Sequence, residues 1–241
     1  MNLICYLSNG YPTIESSIQM AKEYVDAGCN ILEIDFPSHD PFLESELISN
    51  RMAKALEVCD DYEKYMEEIV TIHRELPDAK ILVLSYENTI EAIGISKFIA
   101  FCKENGFEDV LLVGLTSNKI KDQIIAAGLK VSCYVQFQML EEEIESAKQS
   151  NGFVYMQAKA VADQGYVNEK YPTLKDCIQG LRDHGIDRPI YCGVGVHTPE
   201  DARMVKEAGA DGAFVGSTIL KLQNNLPAMK AKIKEFSDVC K

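Results

Sequence analysis

Short apolar runs alternate with longer segments in which apolar side chains recur every three or four residues. The runs Leu3–Leu7, Ile31–Asp35, Ile81–Leu84, Val110–Val113, Val131–Val135, Phe153–Gln157, Ile190–Gly193 and Ala213–Val215 have the length and β-branched content of buried strands. Between them, sets such as Ile14, Ile18, Ala21 and Val25, or Phe98, Ile99 and Cys102, fall on one face of a helix. Helical stretches repeatedly close on glycine, at Gly28, Gly106, Gly128, Gly152, Gly185 and Gly209, where the left-handed conformation ends a helix. Eight strands alternating with helices, with no polar linker between them, predict an α/β fold in which residues 1–241 form a single (β/α)8 TIM barrel domain. An open doubly wound sheet is the alternative. The stretch Gly193-Val194-Gly195 does not continue into G-x-G-x-x-G, which counts against a dinucleotide fold.

A barrel directs attention to the C-terminal ends of its strands, where active sites are built. Alternation along the second predicted strand turns Leu32, Ile34 and Phe36 outward and Glu33 and Asp35 inward. Two carboxylates crowded into a small interior repel and lose solvation, which raises at least one pKa toward neutrality and suits proton transfer. Following the seventh and eighth strands come Gly193-Val194-Gly195 and Gly216-Ser217, glycines that admit a ligand to the backbone, with Thr198 and Ser217 as expected helix caps. That pairing predicts a phosphate site formed by Gly193, Gly195, Gly216 and Ser217. His39 and His197 lack metal-ligand spacing, so no metal is expected, and Glu141-Glu142-Glu143 reads as the solvated start of a helix.

The formal charge of -13 opposes binding to nucleic acid, but it leaves room for one small phosphorylated substrate held by backbone amides. The eight cysteines are scattered without a C-x-x-C pair, as expected of reduced thiols in a cytoplasmic protein. There is no apolar run near the roughly 20 residues of a membrane span, and no signal-like start.

In order along the chain, Tyr6-Leu-x-x-Gly10-Tyr11-Pro12, Leu32-Glu33, Pro37-x-x-Asp40-Pro41, Tyr86-x-Asn88, Gly193-x-Gly195 and Gly216-Ser217 resemble the alpha subunit of tryptophan synthase. The resemblance implies a barrel that cleaves indole-3-glycerol phosphate to indole and glyceraldehyde 3-phosphate by a retro-aldol step, without metal or organic cofactor. It implies Glu33 as the catalytic acid and base, and it aligns Glu44 with the family's second acid, an aspartate that holds the indole N–H. Tyr86 and Tyr155 are expected to line the rest of the substrate site.

Departures from the family pattern lie on the same face. Asp35 replaces a glycine and joins the candidate catalytic carboxylates. The family's mobile lid reads here as Ala158-Lys159-Ala160-Val161-Ala162-Asp163-Gln164-Gly165, in which Gly165 is the glycine retained toward the phosphate. A beta subunit is the implied partner, yet the family's Ala-Asp-x-Pro after the fourth strand reads Val113-Gly114-Leu115-Thr116, which leaves that partnership open. Two other functions therefore stand beside the first: a related lyase, aldolase or isomerase for a different phosphorylated substrate, and a catalytically silent barrel that binds a partner.

Overall fold

The computed structural model describes every residue except Leu43 and residues 162–166, so the expectation for Gly165 lies outside the described residues. The first half of the chain runs β1 (Asn2–Leu7), α1 (Ile14–Asp26), β2 (Ile31–Asp35), α2 (Glu46–Val58), α3 (Tyr62–Glu75), β3 (Lys80–Tyr86), α4 (Glu87–Ile93), α5 (Ile95–Glu104), β4 (Asp109–Val113) and α6 (Lys119–Ala126). The second half runs β5 (Lys130–Val131), β6 (Cys133–Val135), α7 (Glu141–Gln149), β7 (Val154–Gln157), α8 (Leu174–Asp183), β8 (Ile190–Gly193), α9 (Pro199–Glu207), β9 (Gly212–Val215), α10 (Ser217–Leu220) and α11 (Leu226–Cys240).

All strands pair in parallel, in the order β5-β4-β3-β2-β1-β9-β8-β7-β6. Only Ser132 separates β5 from β6, so the two ends of that order are one extended segment and the sheet closes on itself. The fifth predicted strand is thus split, one half pairing with β4 and the other with β7. Gly152 explains the closeness of the join. A Cβ there would lie 2.4 Å from the Val131 carbonyl, and Gly152 donates its amide to that same oxygen. Gly152 is therefore not the left-handed helix stop expected from the sequence, whereas Gly28, Gly106, Gly128, Gly185 and Gly209 do have positive φ.

The parity expected for β2 is found. Leu32, Ile34 and Phe36 join the layer between sheet and helices, and Phe36 meets Phe98 and Phe101 edge-on at 6.0 and 5.7 Å. Removing that ring would cost about 3–5 kcal/mol. Inside the barrel, Ile4, Ile31, Leu82, Phe153, Tyr191 and Phe214 fill one layer, and Tyr6, Leu84 and Leu220 pack nearer the C-terminal ends of the strands. Glu33 is paired with Tyr6 and so is level with the second layer, where the apolar filling becomes polar as strands open into loops.

Candidate active site

Glu33 is 7% exposed and stands opposite Tyr6 in the register of β1 and β2. Burial, then Glu44 and then Asp35 push its carboxyl up to about 8. Asp35 is fully buried, and burial raises it to about 7. The Asn9 amide, which donates to Asp35 Oδ1 at 2.7 Å, and the neighbouring Tyr6 hydroxyl pull it back, while Glu44 pushes it further up. Asp35 Oδ2 and Tyr6 Oη nevertheless lie outside hydrogen-bond geometry with each other or with any described residue.

Glu44 comes to the same group from the loop after β2. Ser45 caps α2 by accepting from the Ile48 amide, which fixes where the loop ends. Its path is fixed by Asn88, which accepts from Ser38 Oγ and donates to the Asp40 carbonyl, and by Tyr62, which donates to the Pro37 carbonyl. The spaced residues Pro37, Asp40 and Asn88 thus belong to one clamp. Tyr86 donates to Glu44 Oε1 at 2.8 Å. Burial raises the Glu44 carboxyl, against the opposing hydrogen bonds from Tyr86 and Ser45. Tyr155 projects from β7 toward these acids, and its ring stacks against Phe214 with centroids 4.5 Å apart. Burial first and then Glu33 keep its hydroxyl from ionising.

The two glycine-bearing loops differ in what they offer. Asp201 Oδ2 already accepts from the amides of His197 and Thr198, completing a capping box with Thr198 at the start of α9. Lys159 binds Asp201 Oδ1 at 2.5 Å, and its stem lies across Gly195, whose φ is 101°. Burial raises Asp201, but Lys159 and these amides outweigh it and hold the carboxyl down to about 2. Gly193 serves a neighbour: a Cβ there would fall 2.1 Å from the Tyr155 hydroxyl. By contrast, among the described residues α10 has no side-chain cap, and a Cβ on Gly216 would meet only Tyr6 Cβ, at 3.6 Å. The expected Ser217 cap is replaced by Gly216 as N-cap, with Ser217 the first helical residue. The backbone is thus covered by the Lys159 stem at Gly195 and more open at Gly216.

The model of the tryptophan synthase alpha chain family matches residues 1–241. The chain belongs to that family. Among its curated relatives, the tryptophan synthase alpha chain of Aquifex aeolicus is 28% identical over 251 residues, covering 99% of this chain and 90% of the relative. That of a Picosynechococcus species is 30% identical over 253 residues, covering 99% and 92%. A solved structure from Aquifex aeolicus superposes with a TM-score of 0.85 at 26% identity, covering 99% of this chain and 92% of the other. The aminoacrylate-bound tryptophan synthase of M. tuberculosis gives 0.83 at 22% identity, covering 100% and 93%, a likeness of fold.

Several expectations resolve differently outside the acid cluster. His39 and His197 are exposed, His39 pairing with Asp60 at 3.0 Å. Glu143 is not a freely solvated charge, because it accepts from the Gln136 amide and side chain. From the sequence, Tyr6 and Lys159 have no expected role beyond the motifs that contain them, and Asn9 and Asp201 have none. Alternation along the first strand gives Tyr6 the same parity as its inward-facing neighbour Ile4, a signal present in the sequence. The Lys159–Asp201 pair joins residues 42 apart and has no local signal. A surface cavity of about 610 Å³ opens among Asn2, Asn30, Tyr191 and Asp211, at the N-terminal end of the strands and away from these acids.

Proposed function

We propose that the chain, acting as one barrel domain over residues 1–241, is a carbon–carbon lyase that cleaves indole-3-glycerol phosphate into indole and glyceraldehyde 3-phosphate. The observation that carries this reading is Glu33: a buried, inward carboxyl raised to about 8, beside a second acid held by a tyrosine, in a chain of the tryptophan synthase alpha family. At neutral pH Glu33 holds its proton and can deliver it to the ring carbon that bears the glycerol chain. The resulting carboxylate then takes the proton of the adjacent glycerol hydroxyl. The bond between that ring carbon and the hydroxyl-bearing carbon breaks, the oxygen becomes the aldehyde, and the bonding electrons return to the ring, so Glu33 ends as it began.

Glu44, oriented by Tyr86, would accept the ring N–H and support the positive charge that the ring carries while its carbon is protonated. Gly195, Gly216 and Ser217 would hold the phosphate through backbone amides and a hydroxyl, and Tyr155 would line the ring slot, with Gly193 giving it room. Asp35 adds a like charge that helps keep Glu33 protonated. A beta subunit is the proposed partner. Exposed Phe42, Leu115 and Val194 on the loops after β2, β4 and β8 supply apolar surface that such a partner would cover.

Asp35 also favours a second reading, in which the phosphorylated substrate is not the indole compound and Glu33 and Asp35 work as a coupled pair. Asp35→Gly separates the two. The indole lyase reading expects this variant still to release indole at pH values where Glu33 is protonated, and the second reading expects loss of the native reaction.

A further inference from the structure

Among the described residues, several buried polar atoms near the acids lack a hydrogen-bond partner, and two of them are near Glu33 in the strand pairing or sequence. Tyr6 is 4% exposed and Asp35 0%, yet neither Tyr6 Oη nor Asp35 Oδ2 has a hydrogen-bond partner among the described residues. Burying such atoms unpaired costs about 1–3 kcal/mol each, so a site that retains both has a use for them. The other oxygen of Asp35 is occupied by the Asn9 amide.

Their position narrows the use. Tyr6 is opposite Glu33 in the strand register, and its Cβ borders Gly216 on the phosphate side. Besides burial, Asp35, Tyr86, Glu44 and Glu33 all act on the Tyr6 hydroxyl, so all four lie near it. The segment of a ligand that joins phosphate to the breaking bond has to pass Tyr6. Asp35, being fully enclosed, reaches such a ligand only through Tyr6. A small rotation on ligand binding would direct the Tyr6 proton toward Asp35 Oδ2 and leave the Oη lone pairs for a ligand hydroxyl.

We propose that Tyr6, oriented by Asp35, is a hydroxyl-binding residue that recognises the polyol segment of a phosphorylated substrate, between its phosphate and the bond that breaks. The inference rests on the lyase reading for the direction of the substrate, and it adds the specificity for a hydroxylated linker. Tyr6 is the binding residue and Asp35 the positioning residue.

The test is a cycle between protein hydroxyl and ligand hydroxyl, measured as dissociation constants in a Glu33→Gln background so that no ligand turns over. The ligands are indole-3-glycerol phosphate and 3-indolylpropyl phosphate, which has the same ring, chain length and phosphate but no hydroxyls. Tyr6→Phe should weaken the first roughly tenfold, the value of one such hydrogen bond. It should leave the second within about twofold, the limit of additive behaviour. Asp35→Asn should act in the same direction and less strongly. Equal effects of Tyr6→Phe on both ligands would overturn the proposal.

A second pair, glycerol 3-phosphate against propyl phosphate, reads the subsite without the ring. A Tyr6-dependent preference for glycerol 3-phosphate, in a protein that fails to cleave the indole substrate, would keep the subsite and remove the lyase reading. Cleavage of the indole substrate, with no Tyr6-dependent preference in either pair, would keep the lyase and remove the subsite.

Discussion

The Tyr86 hydroxyl donates to Glu44 Oε1 at 2.8 Å, tying the end of β3 to the loop after β2. In the proposed correspondence Glu44 stands for the family's aspartate and is one methylene longer, and a longer carboxylate needs an external hold to keep one orientation. Tyr86 supplies it from a buried ring. Tyr86→Phe is expected to lower kcat/KM for the indole substrate roughly tenfold, the value of a hydrogen bond to a charged group. Steady-state kinetics with a parallel thermal melt would check this, the melt showing whether the fold is retained.

Neutralising Asp35 should move the catalytic pH profile. The like charge of Asp35 contributes to raising Glu33, so Asp35→Asn lowers the Glu33 pKa while burial, the larger cause, keeps it above the usual carboxylate range. Because Glu33 must begin protonated, kcat/KM falls as pH rises through about 8, and in Asp35→Asn that fall should begin at lower pH. A profile unchanged in position would separate the two carboxylates electrostatically.

Stability should depend on pH through the buried acids. Glu33, Asp35 and Glu68 are raised to about 8, 7 and 9, in each case chiefly by burial. As pH rises from about 4, these groups ionise in the unfolded chain but stay protonated in the folded one. Unfolding then releases protons, and stability falls until the folded pKa values are passed. The melting temperature is therefore expected to drop between pH 5 and pH 9. Glu68, on α3 and raised chiefly by its own burial with Asp35 a smaller cause, gives the test variant: Glu68→Gln should match the native protein at the acid end and exceed it at pH 9.

Asp201 behaves in the opposite sense. Its carboxyl is held down to about 2, so its contribution is present above its ordinary value of 3.8 and is lost as pH falls through about 2. Asp201→Ala removes the capping box of α9 and releases Lys159, with an expected loss of about 1–2 kcal/mol. The loop bearing Gly195 should loosen as well, raising KM for a phosphorylated substrate while kcat changes little. Denaturant unfolding and steady-state kinetics measure the two effects separately.

Much of the architecture could be read along the chain because it depends on local periodicity. The alternation Ile31 to Asp35 places Glu33 inward, and every predicted strand has its counterpart, since a buried strand between two amphipathic helices has few other ways to satisfy its backbone. The division of the fifth strand at Ser132 could not be read, because it follows from the closeness of Gly152 to Val131 across the sheet. The site was legible where chemistry and parity coincide, as at Glu33 and Asp35. It was not legible where a role depends on distant partners, as for Lys159 with Asp201, or on a partner's absence, as for the Tyr6 hydroxyl. Gly193 illustrates the limit: a glycine at a strand end suggests ligand access, but here the space is taken by the Tyr155 hydroxyl.

The central claim is that Glu33 cycles a proton during cleavage of indole-3-glycerol phosphate. It is tested most directly by the rate of indole formation from that compound by the purified protein and its Glu33→Gln variant, with phosphate-ester binding measured on both. The account predicts indole release by the native chain, loss of turnover by at least about a hundredfold in Glu33→Gln, and unchanged binding, because the amide keeps the shape of the side chain but cannot exchange its proton. Undiminished indole release by Glu33→Gln, or none from the native protein with or without a beta subunit, would contradict it.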